Sequence, residues 1–530
     1  MLTYLAPTRI LWQQGVINAE RLLRPGDQAV VSHPDTCVLR HDGSEPGVLL
    51  DFGRELHGAL QLITTCFDPK RPVRVRVRFG ESASEAMGVT DQDHAIHLQE
   101  LYVPWCGSVV VGPTGFRFAR VDLIDPGAML SLVGIRAQVH EITTARSGAF
   151  TTSDRRVNAV WETAARTVEL CMQDYLWDGI KRDRLVWMGD LHPEVMVVAG
   201  LHGNHPVVPK SLDFMRDSTP ADQWMNTISS YSLWWIRTQY DWFMRTGDRA
   251  YLAQQQDYLT ALLRRIAGMV KTDGSHVFPN GLIDWATADD HVSTISGMYA
   301  LLTWTLQAGA AMAVELGDRR LARLASTAAE RLAQHGQPTP TTKQASALGV
   351  LAGLCDPHAA NRSLLAKQPT TGLSTFYGYY VLEARARAGD IAGGLDLLRN
   401  YWGPMLDLGA TSFWEHFNLN WLGGKKPGRI DELPGRNRDL HRTTGEHCYV
   451  GLRHSLCHGW AGSPAIWALD HVLGVTPASP GFATAIINPQ LGGLAWAEGT
   501  VPTPHGLVHV KARRGKTPEI TMPAGVTRLE

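Results

Sequence analysis

Between Trp177 and Glu194 the chain reads WDGIKRDRLVWMGDLHPE: Asp178, Asp183 and Asp190, the cations Lys181, Arg182 and Arg184, and two tryptophans, Trp177 and Trp187. Burying unpaired charge costs several kcal/mol, so this segment is poor core material and reads as a functional loop, with a salt-bridged surface loop as the plainer alternative. Tryptophan offers the apolar face on which sugars stack, and carboxylates bind hydroxyls or move protons. A second segment, GATSFWEHFN at 409–418, sets Glu415 among Trp414, Phe413 and Phe417. A glutamate flanked by aromatics has either found a cation or been placed for proton chemistry. The two acidic segments lie about 230 residues apart, so only the fold can unite them. Such a pair suits a reaction in which one carboxyl protonates a leaving group and another activates water.

The elements that must position these residues change period along the chain. Val73, Val75, Val77 and Phe79 alternate with Arg74, Arg76 and Arg78, which predicts a half-buried strand. The arginines read as a solvated strand face and not as a nucleic-acid ribbon, because no stacking aromatics interleave with them. With VLLDFG at 48–53 and FRFARVDL at 116–123, the region 1–145 reads as an antiparallel β-domain. After Thr152 the apolar spacing turns helical: Val157, Val160, Trp161, Ala164, Val168, Cys171, Met172 and Tyr175 predict a helix of about six turns capped by Ser153 or Asp154. Further helices are expected near 228–245, 254–271, 295–316, 319–334, 342–354, 376–388 and 391–401, giving an all-α domain over 146–475. Short β-like runs with Pro and Gly then predict a small β-domain over 476–530. No exact internal repeat is visible, although helices paired around a ring need repeat only in structure.

Composition narrows the class. Lys+Arg 50 against Asp+Glu 51 gives a net charge of -1, which offers no global basic field for nucleic acid or an anionic membrane. Tryptophan is abundant at 17 residues, mostly between Trp161 and Trp467. Seven cysteines form no CxxC pattern, which points to a reducing, cytoplasmic setting. The first twenty residues lack the apolar stretch of a signal peptide, and no later run reaches a membrane span of ~18 residues, so a soluble, unexported protein is expected.

Taken together these residues resemble the α-L-rhamnosidases, glycoside hydrolase family 78. Their signature DxxxRDERxGWxGD has its counterpart in DGIKRDRLVWMGD at Asp178–Asp190; GATSFWEHF matches the region of the catalytic glutamate, and SLCHGWAGSPA at Ser455–Ala465 a third motif. LIDW at 282–285, STFYGYYVLEA at 374–384, DFGRELHG at 51–58, FRFARVDL and GTVPTPHG at 499–506 follow in the family's order. The resemblance implies a multidomain chain: a central all-α (α/α)6 toroid flanked by N-terminal and C-terminal antiparallel β-sandwich domains, with an inverting site in the toroid mouth. Carried over by position, Glu415 is the general base. Asp178, Arg182, Trp187 and Asp190 hold the sugar, Trp285 stacks on it, His458 lines the subsite, and Trp414 is a further aromatic wall. The motif departs at one point: between arginine and tryptophan it is one residue shorter and lacks the glutamate. Counting back four from Trp187 puts Asp183 at the general-acid position, whereas counting forward from Asp178 misses it by one. Asp183 remains the acid because no other acid lies between Arg182 and Trp187.

An inverting mechanism leaves room for water between carboxyls roughly 6.5 to 9.5 Å apart. No cofactor and no metal is expected. Asp289, Asp290 and His291, and His447, Cys448, His454, Cys457 and His458, lack zinc-site spacing, and His416 and His447 read as structural histidines. Cys448 and Cys457 read as small core residues, and Asp284 as a hydroxyl ligand beside Trp285. The expected partner is a small-molecule or oligosaccharide rhamnoside, with neither nucleic acid nor membrane; a homodimer is left open. Two other readings stay open: a related toroid hydrolase or lyase for a different sugar, and a non-catalytic carbohydrate-binding protein.

Overall fold

The computed structural model describes residues 2–25, 31–68, 70–88, 97–142, 144–279, 281–433, 435–447 and 449–529. Cys448, expected in the core, lies outside these residues. The N-terminal region is a nine-stranded sheet wrapped around its own core. In the strand Val73–Gly80, Val73, Val75, Val77 and Phe79 are buried. On its other face Arg74, Arg76 and Arg78 pair with Asp125, Glu100 and Asp122, so the arginine ribbon is a salt-bridged strand face. The long strand Gly47–Thr64 pairs with three neighbours and slips register between Asp51 and Leu56, where Gly53 has φ +81. A bulge there bends the strand, so one strand serves two parts of the curled sheet.

Among the described residues the helices of the central region pair into six hairpins. The inner member of each is Met188–His202, Ser229–Thr246, His291–Glu315, Lys343–Leu351, Gly378–Arg387 or Pro464–Trp467, and each packs on the next until the last returns to the first. That closure is the toroid. Outside it run Arg155–Cys171, Val207–Ser218, Gln256–Gly268, Arg319–His335, Pro357–Ala360 and Ile391–Leu397. The expected six-turn first helix ends at Cys171, at 17 residues, capped by Asp154 through the N–H groups of Arg156 and Val157. Met188–His202 was not visible as a helix because every residue of it is buried, which erases the amphipathic period.

Two small sheets close the chain. Strand Ala149–Thr152 pairs with Trp496–Thr503, so residues just ahead of the first toroid helix belong to a C-terminal sheet. Thr484–Ile487 pairs in parallel with Thr527–Leu529, which departs from the purely antiparallel C-terminal domain expected. Ala497, Val501 and Val508 share one continuous core with the toroid helices. No helix among the described residues is long and apolar enough to cross a membrane. The described cysteines are all free thiols.

The N-terminal sheet docks at the toroid mouth through buried charge. Arg117 makes a two-pronged contact with Asp51, at 2.8 and 3.0 Å, and donates to the Gly409 carbonyl at 2.9 Å. The short helix Ala83–Met87 donates from Ala83 N–H to Ile430 O, and its flank carries Glu81 and Glu85. These two carboxylates receive Lys181 Nζ, at 3.4 and 2.9 Å. Lys181 is almost wholly buried and also donates to the carbonyls of Leu452 and His454, both at 2.7 Å.

Candidate active site

Lys181 anchors the loop that carries the first acidic motif. Asp178 begins it: its N–H donates to Leu185 O at 3.0 Å while its Oδ1 accepts from Leu185 N–H at 2.9 Å, closing the loop on itself. Gly179 forms an antiparallel bridge to His458, and Gly459 N–H reaches Asp178 O at 2.7 Å. At the loop tip Asp183 and Arg184 both take left-handed backbone, φ +55 and +54. Consecutive non-glycine residues there store strain of the kind found at functional sites. Their geometry leaves the Asp183 side chain 35% exposed while Arg182 stays buried at 9%. The motif ends at the N-terminus of Met188–His202, where Asp190 sits in the first helical turn.

The second motif comes up beside it. Glu415 is fixed through its backbone: its N–H donates to Ser455 O at 3.0 Å, and its carbonyl accepts from Thr375 Oγ1 at 2.6 Å and Trp460 Nε1 at 2.8 Å. Arg182 then unites the two acids. One terminal nitrogen donates to Asp183 Oδ2 at 3.0 Å, and the other makes a very short contact with Glu415 Oε2. A guanidinium suits such bridging because its planar fork offers parallel donors. Arg182 Nε meanwhile donates to Arg453 O at 3.1 Å, which fixes the fork's direction.

Around the acids lies a cavity of about 140 Å³. Asp178, Asp183, Asp190, Arg182, Glu415 and His458 supply its polar lining, and Trp187 and Trp285 its aromatic faces. These eight expected residues meet in one place. Burial, with the nearby charge of Asp190, pushes the Asp178 carboxyl well above the usual carboxylate range, and burial does the same to Asp190. Both are thereby biased toward the protonated form, in which a carboxyl can donate as well as accept. Asp190 contacts His458 Nε2 at 3.0 Å, while His458 Nδ1 lies 3.8 Å from Glu415 Oε1. Burial lowers His458 to about 4, so its ring is neutral at pH 7.

Two expectations change. Trp414 is not a cavity wall: it is buried, with its ring edge-on to Phe417 and His454, because residues 413 and 414 form the packed floor behind Glu415. Asp284 is also turned inward, accepting from Ser374 Oγ at 2.6 Å and Gln344 Nε2 at 3.0 Å, and it holds Trp285 in place instead of binding sugar. Tyr231, Trp460, Arg453 and Ile228 line the cavity although none was singled out. Trp460 stood in the SLCHGWAGSPA motif, two residues beyond His458, so the signal was present. Tyr231 lies at the start of a helix whose neighbours Trp234 and Trp235 are core, and it shares their apolar surroundings.

Among the described residues, the Asp289–His291 group and the group from His447 to His458, neither of which was expected to hold a metal, are drawn into other contacts. Asp290 caps a helix through Ser293 N–H, and His454 Nε2 accepts from His416 N–H at 3.0 Å. His447 instead comes beside His416 and Glu446.

Comparison with known proteins now has a geometry to meet. Residues 145–361 match the bacterial α-L-rhamnosidase six-hairpin glycosidase domain, and residues 474–528 the bacterial α-L-rhamnosidase C-terminal domain. An α-L-rhamnosidase of Alteromonas sp. (strain LOR) is 24% identical, over 92% of this chain and 56% of its own length. The chain thus spans about half the length of that curated relative. Among solved structures, a family 78 rhamnosidase of Bacillus sp. GL1 superposes with a TM-score of 0.77 at 21% identity, over 96% of this chain and 56% of that one. A Klebsiella oxytoca rhamnosidase with rhamnose bound gives 0.70 at 19% identity, over 88% and 95%. The solved structures share the fold of toroid and flanking sheets, and it is the two domain matches that place the chain in the bacterial α-L-rhamnosidase family.

Proposed function

We propose that the protein is an inverting glycosidase that releases terminal, non-reducing α-L-rhamnose, with Asp183 as general acid and Glu415 as general base. The observation that carries the reading is the single cavity in which both acids meet, bridged by Arg182 and flanked by Trp187 and Trp285. Its volume of about 140 Å³ suits one sugar ring, being well below the ~300–1,000 Å³ of drug-sized pockets. Asp183, at the exposed loop tip, faces the side from which an aglycone would leave, and Glu415 lies deeper, where a water can be held. In the reaction Asp183 gives its proton to the glycosidic oxygen, Glu415 takes one from water, and that water attacks the anomeric carbon from the opposite face. Asp178 and Asp190, which line the same cavity, bind sugar hydroxyls.

A second reading of the acid has a specific support. Burial holds the Asp178 carboxyl above the usual carboxylate range, the direction a general acid needs, whereas Asp183 is engaged by a guanidinium. One set of variants separates the two. Asp183→Asn and Glu415→Gln should each lower kcat on an aryl α-L-rhamnoside by about 10²–10⁴-fold with normal folding. If Asp178→Asn abolishes turnover and Asp183→Asn does not, the acid is Asp178. Fresh product followed by NMR should be β-L-rhamnose, and an α product removes the inverting assignment. The free thiols fit a reducing cytoplasm, where short imported rhamnosides are the proposed substrates.

A further inference from the structure

We propose that His416, Glu446 and His447 form a binding site for one divalent transition-metal ion of the zinc class, which ties the end of the strand Gly445–Glu446 to the segment carrying Glu415. Each of the three offers a ligand atom, and these atoms lie within 4.8 Å of one another. Ligands at ~2.0–2.2 Å around a tetrahedral zinc stand roughly 3.4 Å apart. His416 Nε2 and Glu446 Oε2 are already at 3.5 Å. That spacing is long for a charge-assisted hydrogen bond, which is ~2.7–2.9 Å, but close to a coordination edge.

The supporting shell is of the kind metal sites have. Asn418 Nδ2 and Trp421 Nε1 both donate to Glu446 Oε1, at 2.8 and 3.1 Å, which leaves Oε2 turned toward His416. Outer partners of this sort fix the orientation of a ligating carboxylate. His416 is set from the backbone side by its N–H bond to His454 Nε2.

His447 brings the third ligand atom. It opens the turn between strands Gly445–Glu446 and Tyr449–Val450 with φ +58, a position where two-residue hairpins favour Asn or Gly. Histidine, like asparagine, tolerates the left-handed region better than most residues, and here its ring lies 5.9 Å from that of His416. Two imidazoles and one carboxylate make an N₂O donor set that zinc accepts. This proposal departs from the structural reading of His416 and His447 and from the expectation of no metal.

The site stands or falls apart from the glycosidase reading, so binding is the readout. The full chain is stripped with a chelator, dialysed and titrated with Co²⁺, then Zn²⁺. Wild type should bind one equivalent of Co²⁺ with the strong visible absorption of tetrahedral geometry, be displaced by Zn²⁺, and melt at a higher temperature with Zn²⁺. His447→Asn, which suits the left-handed turn, should lose that equivalent while keeping the metal-free melting temperature. Asn418→Ala should weaken binding by about 10–100-fold. Equal cobalt spectra and stoichiometry in wild type and His447→Asn, or no stoichiometric binding by either, would overturn the site.

Discussion

A guanidinium that reaches two carboxylates at once ties their positions together, and Arg182 does this for Asp183 and Glu415. Lysine has one compact charge and no fork. Arg182→Lys should therefore lower kcat/KM by about 100-fold despite keeping the charge, and recovery to near wild-type rates in steady-state assays would show that charge alone suffices. A different carboxylate reports on stability. Burial would raise Glu169, but hydrogen bonds from Arg146 and His202 outweigh it and hold the group near 2. A carboxyl depressed on folding contributes stability that is present above its unfolded pKa of ~4.3 and lost as pH falls toward 2. Wild type should lose about 2 kcal/mol of its advantage over Glu169→Gln between pH 6 and pH 3, measured by urea unfolding at those two pH values, and the rest only as pH falls through 2. At this scale the site was legible where chemistry and aromatics alternate, as at Asp178–Asp190. Trp414 misled because the pattern gives neighbours in sequence without saying which side faces the cavity. Asp284 misled similarly, since a helix-capping aspartate and a sugar-binding one look alike in the chain.

At the scale of elements, the loop with Asp183 is held less by its own helix than by the N-terminal sheet. Lys181 sits in a buried cage of Glu81, Glu85 and two carbonyls, and burial raises Glu81 to about 7 even against the pull of Lys181. Removing the cation strands two carboxylates in the interior, at a cost of about 3–5 kcal/mol. Lys181→Met should show that loss in denaturant midpoint, and adding Glu81→Gln and Glu85→Gln should restore most of it; a mild single variant would argue that water enters the cage. Amphipathic helices such as Arg319–His335 could be read from spacing because one face meets solvent. Met188–His202 could not, since a helix buried all round shows a continuous apolar run, interrupted here by site residues. Lys181 itself carried no sign of its partners, which lie about 100 residues away in another domain.

For the molecule as a whole, the three-part order of sheet, toroid and sheet was readable from the two changes of period, but not how the parts interlock. The break expected after residue 145 falls ahead of a strand, Ala149–Thr152, that completes the distal sheet. That sheet lends Ala497, Val501 and Val508 to the core of the toroid. Deleting 474–530 should therefore leave an insoluble or molten toroid, seen as lost near-ultraviolet dichroism and lost activity, whereas a soluble, cooperatively melting product would show the sheet to be an appendage. The pairing of Ala149 with Thr500 also has a meaning in time. A ribosome adds ~5–20 residues per second, so the second strand emerges on the order of tens of seconds after the first. Throughout that interval the strand Ala149–Thr152 has an unpaired edge, the kind of exposed edge that invites wrong pairing in a chain still being made.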